Sequence, residues 1–265
     1  MPYTFANELP DPNYKISPAG HTLATGDAGP GFASIKLTND QKVLVNRTNS
    51  QRVLARSVVG QKWKVGITYH PMTRAEFEPV YSFLLRQEGP MTPFFVSLPQ
   101  YRVPQNSEWN TTVTKTFQHS GEATLVYAND IKVVLDSYST GAAGTKTVKL
   151  AIAKHASATS DAAWAHNTGL NTPKPGDMVT FENHSKAYLV THVETNSIYQ
   201  DTNDRPTVSQ LKIGVSPSLS KAIPATTVAR FSAPKIKVIM PQPLGEYSLN
   251  TDNLYSFNLK LEEYL

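Results

Sequence analysis

The sequence predicts a mainly β protein: a β-sandwich or barrel with one packed α-helix, plus an inserted small β-barrel domain. Three observations carry this. Apolar and polar residues alternate in short runs along most of the chain, which is the strand period of two. Only one stretch, near residues 73–88, spaces its apolar residues as a helix does. Between residues 105 and 230 the sequence breaks into seven short strand-like runs separated by polar turns, a spacing that suits a small barrel or sandwich. Composition agrees. The 265 residues include 19 Pro and 14 Gly, and 17% are charged, below the ~25% of an average soluble domain.

Taken in order, residues 1–31 form an extended arm. Pro2, Pro10, Pro12 and Pro18 break any helix, and Gly20, Gly26, Gly29, Pro30 and Gly31 follow. Such a segment buries little by itself, so it is either a loose terminus or an arm that orders against another subunit. Residues 32–38 alternate, Asn39-Asp40 marks a turn, and residues 41–47, 51–59 and 61–69 are further strands. In the last of these Trp63, Val65, Ile67 and Tyr69 share one face. The helix follows. Thr73-Arg74-Ala75-Glu76 is a capping box, and Phe77, Val80, Tyr81, Leu84 and Leu85 form one apolar stripe that Gly89-Pro90 ends. Pro79 costs ~3 kcal/mol inside a helix, so either the first turn is irregular or the helix begins nearer Glu78.

Residues 93–99, bounded by prolines, suit an edge strand. The seven runs of the insert are 112–118, 122–127, 131–135, 145–150, 178–181, 187–193 and 207–215, with a hairpin tip at 182–185. Residues 151–172, rich in Ala, Ser and Asn with Trp164, are expected to make a surface excursion. Strands at 235–240 and 254–265 close the chain, with Tyr255, Phe257, Leu259 and Leu261 on one face. Chain termini commonly lie together. The expected layout is therefore an outer β-domain of residues 32–104 and 231–265, interrupted by a second domain at 105–230.

Little in the sequence suggests chemistry. There is no cysteine, so disulfides, thiol nucleophiles and Cys-ligated metals are excluded. The net charge is +4 and the pI about 9.1, but the positive residues are dispersed, which disfavours specific nucleic-acid binding. No apolar run reaches 18 residues and the start lacks a basic and apolar leader, so neither membrane insertion nor secretion by that route is expected. His184 and His192 are the closest histidine pair but lack metal-ligand spacing. The run Gly26-Asp27-Ala28-Gly29-Pro30-Gly31 looks like a phosphate loop but is followed by no Lys-Ser/Thr, and there is no G-x-S-x-G. The carboxylate pairs Glu76/Glu78, Asp201/Asp204 and Glu262/Glu263 read as a helix start, a polar loop and a chain end. No catalytic apparatus, cofactor or metal is expected.

The block from Trp63 to Tyr101 resembles the distal-tail, minor tail and baseplate tube-initiator proteins of long-tailed bacteriophages. Residues 63–69 match their aromatic strand, Thr73–Gly89 their "Thr-x-x-Glu" helix ending in "Phe-Leu…Gly", and Phe94–Pro99 their "Phe-x-Val-x-Leu-Pro" strand. The final strand, residues 255–263, is similar to the closing strand of these domains. The likeness covers about 75 of the 265 residues, and the long insert departs from the small members of the family.

It implies a tail-tube-like β-domain that assembles into a homo-oligomeric ring, a hexamer, in the virion tail. The ring would join the tail-tube protein to baseplate hub or tail-tip proteins and continue a channel through which DNA passes as cargo. The protein would be made in the host cytoplasm. Clean two-sided strands with open edges fit such closure. The expected brace inside the domain is Phe77, Val80, Tyr81, Leu84 and Leu85 packed on Trp63, Ile67 and Phe95. Pro2, Tyr3, Phe5, Pro10, Pro12 and Tyr14 would supply the arm that clamps a neighbour. The alternatives are a receptor- or glycan-binding module carried by the inserted barrel, and a tail-borne cell-wall hydrolase.

Overall fold

A computed structural model describes residues 7–12, 15–16, 27–57, 60–106, 115–117, 125–127, 131–134, 141–152, 173–200, 206–224, 227–243 and 247–265. Strands dominate, and α1 (Arg74–Arg86) is the one α-helix among the described residues. The chain divides into two compact units, Met1–Ser97 with Ile236–Leu265, and Leu98–Lys235.

In the first unit, strands numbered along the chain are β1 (Lys15–Ile16), β2 (Asp27–Ala28), β3 (Phe32–Asp40), β4 (Val43–Arg47), β5 (Val53–Ser57), β6 (Lys62–Tyr69) and β7 (Phe94–Ser97). The second unit holds β8 (Lys115–Phe117), β9 (Leu125–Tyr127), β10 (Ile131–Val134), β11 (Thr147–Ile152), β12 (Met178–Phe181), β13 (Ala187–Gln200), β14 (Pro206–Ser216) and β15 (Ala229–Arg230). The chain then adds β16 (Lys235–Ile239), β17 (Ser248–Leu249), β18 (Tyr255–Ser256) and β19 (Asn258–Glu263).

The first unit is built on a five-stranded sheet in the order β3-β6-β19-β16-β7. Its alternating sequences give two unlike faces. Trp63, Val65, Ile67 and Tyr69 of β6, Leu259 and Leu261 of β19, and Ile236 and Val238 of β16 are all buried. Helix α1 (Arg74–Arg86) covers that face. Phe77 stacks on Tyr255 with ring centroids 4.5 Å apart and meets Phe257 edge-on at 6.0 Å, while Phe83 meets Phe94 edge-on at 5.4 Å.

Thr73 caps the helix: its backbone N–H and its hydroxyl both donate to Glu76 Oε2, at 2.9 and 2.8 Å. The helix runs unbroken through Pro79 from Arg74, so the expected start nearer Glu78 is corrected. Pro79 is six residues in, where its missing N–H removes one bond to the first turn, and the capping box holds that turn. At the other end Glu88 and Gly89 take left-handed φ values of 53° and 67°.

The N-terminal segment belongs to this unit. Glu8 bridges Phe95 in parallel, and the Leu9 N–H donates to the Phe95 carbonyl at 2.8 Å. Residues 8–11 are buried, and together they lie along the β7 edge of the sheet.

The second unit contains a six-stranded antiparallel sheet, β10-β11-β14-β13-β12-β15. Val148, Leu150, Val179, Phe181, Tyr188, Val190, Ile213, Val215 and Phe231 form its core with Leu219, Ile223 and Ala229. The sheet curls until β10 and β15, its two ends, come within 8 Å between Cα atoms. No ladder closes it into a barrel among the described residues. Strand β13 extends well past the expected residue 193, to Gln200. Residues 151–152 belong to β11, and the rest of the expected excursion, Trp164 included, lies outside the described residues.

Candidate interaction surface

Of the expected brace, Trp63, Ile67, Phe77, Val80 and Leu84 are buried, and Tyr81 and Phe95 are half-buried. Leu85 departs from it, at 53% exposed. A helix turns about 100° per residue, so Phe77, Val80, Phe83, Leu84 and Gln87 cluster on one side and Leu85 falls well round the cylinder from their centre. Phe83 and Phe94 replace Leu85 and Phe95 as buried contacts. For the strand, the signal was the parity of 94 and 96; for the helix, the continuation of the stripe to Gln87, which is itself buried.

Among the proposed arm residues, Pro10 is buried within the first unit and Pro12 is exposed, while Pro2, Tyr3, Phe5 and Tyr14 lie outside the described residues. Pro10 is therefore engaged by its own chain. The backbone of 10–11 presses on Gly29, whose N–H donates to the Asp11 carbonyl at 3.1 Å.

Two features of the first unit leave strand surface uncovered. Strand β3, nine residues long, ends the sheet order and has no ladder partner on its outer side among the described residues. Next in the chain is the hairpin β4–β5, a two-stranded sheet paired only with itself. Val43, Leu44, Val45, Val53 and Leu54 on it are all exposed, Leu44 at 65% and Val45 at 62%. Register divides them between both faces: Val43, Val45 and Val53 on one, Leu44 and Leu54 on the other. An isolated two-stranded hairpin is marginal in water, and this one exposes apolar side chains both ways. The sequence signal was the unbroken run Val43-Leu44-Val45, which fits no one-sided burial.

The face of the five-stranded sheet turned away from α1 is polar. Register sets Lys36, Gly66 and Lys260 in one row across three strands, and Thr38, Lys64 and Glu262 in the next. Lys62 stands opposite Asp40. Two ion pairs cross it, Lys64 to Asp40 and Lys62 to Glu262, each at 2.8 Å. Lys64 holds the Asp40 carboxyl below its ordinary range through a hydrogen bond and charge. A groove of about 720 Å³ runs here, walled by Lys36, Lys64, Lys260 and residues 240–243.

In the second unit the polar centre is His184. Its Nδ1 lies 2.6 Å from Asn183 Oδ1 and its Nε2 2.7 Å from the Tyr188 hydroxyl. That hydroxyl in turn accepts from the Ser220 N–H at 3.1 Å. Every ring nitrogen is thus used within the fold, and burial, then Lys221 and Lys186, push the imidazole pKa down to about 4. A neutral ring with both nitrogens occupied has no free position for proton transfer or a metal. His192, on β13, lies beside Glu194 and not beside His184.

Among the described residues no group of three or more His, Asp or Glu could hold a metal ion, and no helix is long and apolar enough to cross a membrane. The sequence matches no family model and no curated protein.

Proposed function

We propose that this chain is a structural component of a bacteriophage tail tip or baseplate, working as a ring of identical copies that joins the tail tube to the hub and continues the DNA channel. In this reading the first unit is a tail-tube-like β-domain and the second an inserted small barrel. The observation that carries it is the hairpin β4–β5, with exposed apolar residues on both faces, beside the open edge of β3. A lone molecule gains nothing from displaying such surface, and long uncovered edges pair with other chains. A neighbour that receives the hairpin and pairs with β3 satisfies both, and a head-to-tail contact of this kind closes into a ring when its rotation allows. The contact would need to bury ~2,000 Å² or more to be obligate.

Native mass measurement of the purified chain tests this. The expected result is one closed oligomer at micromolar concentration, and its collapse to smaller species in Leu44→Asp with the circular dichroism of the fold retained. A monomer in the unmodified chain at that concentration would overturn the ring.

A further inference from the structure

Lysines far apart in the chain meet on the helix-free face of the five-stranded sheet. Lys36, Lys62, Lys64, Lys237 and Lys260 project from it, against the carboxylates Asp40 and Glu262. The two ion pairs use Lys62 and Lys64. Lys237 lies over the Tyr264 ring, its Nζ 4.9 Å from the centroid. Lys36 and Lys260 are exposed and make no ion pair among the described residues. They flank Gly66, whose missing side chain leaves a low saddle between two cations.

We propose that this face binds the phosphate backbone of duplex nucleic acid without regard to sequence. The charge is complementary, five cations against two anions. The rest of the face also favours this partner over an acidic protein. Protein interfaces centre on exposed aromatic, Met and Arg anchors and deplete lysine, whereas the Met240 and Phe257 that line the groove are buried and the rows here present Lys, Thr, Gly and Asn beside Glu262. Phosphate oxygens are bound by just such groups, as point charges and hydroxyl or amide donors. Single strands call for exposed aromatic platforms on which bases stack; of the aromatics near this row Phe257 is buried, and the Tyr264 ring is engaged by Lys237. Strands lie about 4.8 Å apart, so the two free cations stand on the order of 10 Å from each other, open to a rigid backbone.

Ring formation and polyanion binding are separable, since the hairpin and the lysine rows use different residues. Fluorescence anisotropy of a labelled 25-base-pair duplex with the full chain, between 50 and 200 mM salt, tests the assignment. Expected is a dissociation constant of ~10⁻⁴ to 10⁻⁶ M that weakens with salt, with the log–log slope flattened by ~0.9 for each of Lys36→Gln and Lys260→Gln. Lys174→Gln, in the other unit, should leave the slope as it was. No binding at 50 mM salt, an unchanged slope in the double variant, or equal affinity for polyglutamate competitor would overturn it.

Discussion

Truncating Leu84 to alanine empties a site that is fully enclosed beneath the helix, and buried leucines lose ~2–5 kcal/mol when cut back this way. Leu85 is 53% exposed, so Leu85→Ala should stay within about 0.5 kcal/mol of the parent. Urea denaturation of the two variants checks both, and equal losses would mean the helix is turned differently on the sheet. His184 gives a second residue-scale prediction. The fold holds the imidazole neutral down to about 4, while the unfolded chain protonates it near its ordinary 6.5. Between those values the unfolded state binds the extra proton, so stability should fall as pH drops from 6.5 towards 4 and level off below. The ring is partly exposed, so the expected loss is discounted to about 1–2 kcal/mol. His184→Gln should flatten that stretch of a denaturation series taken at pH 7, 6, 5 and 4. At this scale the sequence was legible where periodicity alone decides: Trp63, Ile67, Phe77, Val80 and Leu84 point inward because spacing puts them there. Leu85 was not, because a stripe five residues wide does not say which flank the sheet covers.

Elements owe their places to contacts that no local window contains. Gly29 shows this for the N-terminal segment. A Cβ there would sit 2.6 Å from the Asp11 nitrogen and 2.7 Å from the Pro10 carbonyl carbon. Those are backbone atoms, which cannot swing aside as a side-chain end can. Gly29→Ala should therefore push residues 10–11 off their seat, costing ~1–3 kcal/mol as other overpacked sites do. It should also expose Leu9 and the β7 edge. Limited proteolysis near residue 9, faster in the variant than in the parent, is the check; unchanged cleavage would show that the segment is held elsewhere. In the sequence Pro10 and Gly29 read as punctuation of an extended segment, loose or ordered against another subunit, because pairing between residues 8–9 and β7 spans more than 80 positions. The lysine rows escaped for the same reason. Each strand spells its part locally, as Ile35-Lys36-Leu37 and Leu259-Lys260-Leu261 do, but only the register with Gly66 brings the cations together. Lysines that look dispersed along the chain, Lys36, Lys62, Lys64, Lys237 and Lys260, meet on one face of the sheet.

For the whole molecule, the two compact units make a prediction about separability. The core of the second unit draws all its residues from between Val148 and Phe231, and the sheet of the first is completed by β16 and β19 after the chain returns. At the base of the second unit the Ala233 N–H donates to the Arg102 carbonyl at 2.8 Å. Two backbones in direct hydrogen-bond contact are separated by a gap that two glycines, reaching up to ~10 Å, span. Replacing residues 103–232 with Gly-Gly should therefore leave a chain that folds as a β protein with one cooperative transition, read by circular dichroism against urea. The exposed hairpin and the β3 edge remain in that shortened chain, so native mass should report the same number of copies as the parent. A folded but monomeric product from an oligomeric parent would move the assembly contact into the second unit and away from Leu44 and Val45. If the shortened chain fails to fold while residues 98–235 fold alone, the first unit depends on the insertion, and the two cores are not the independent bodies their separate side chains imply.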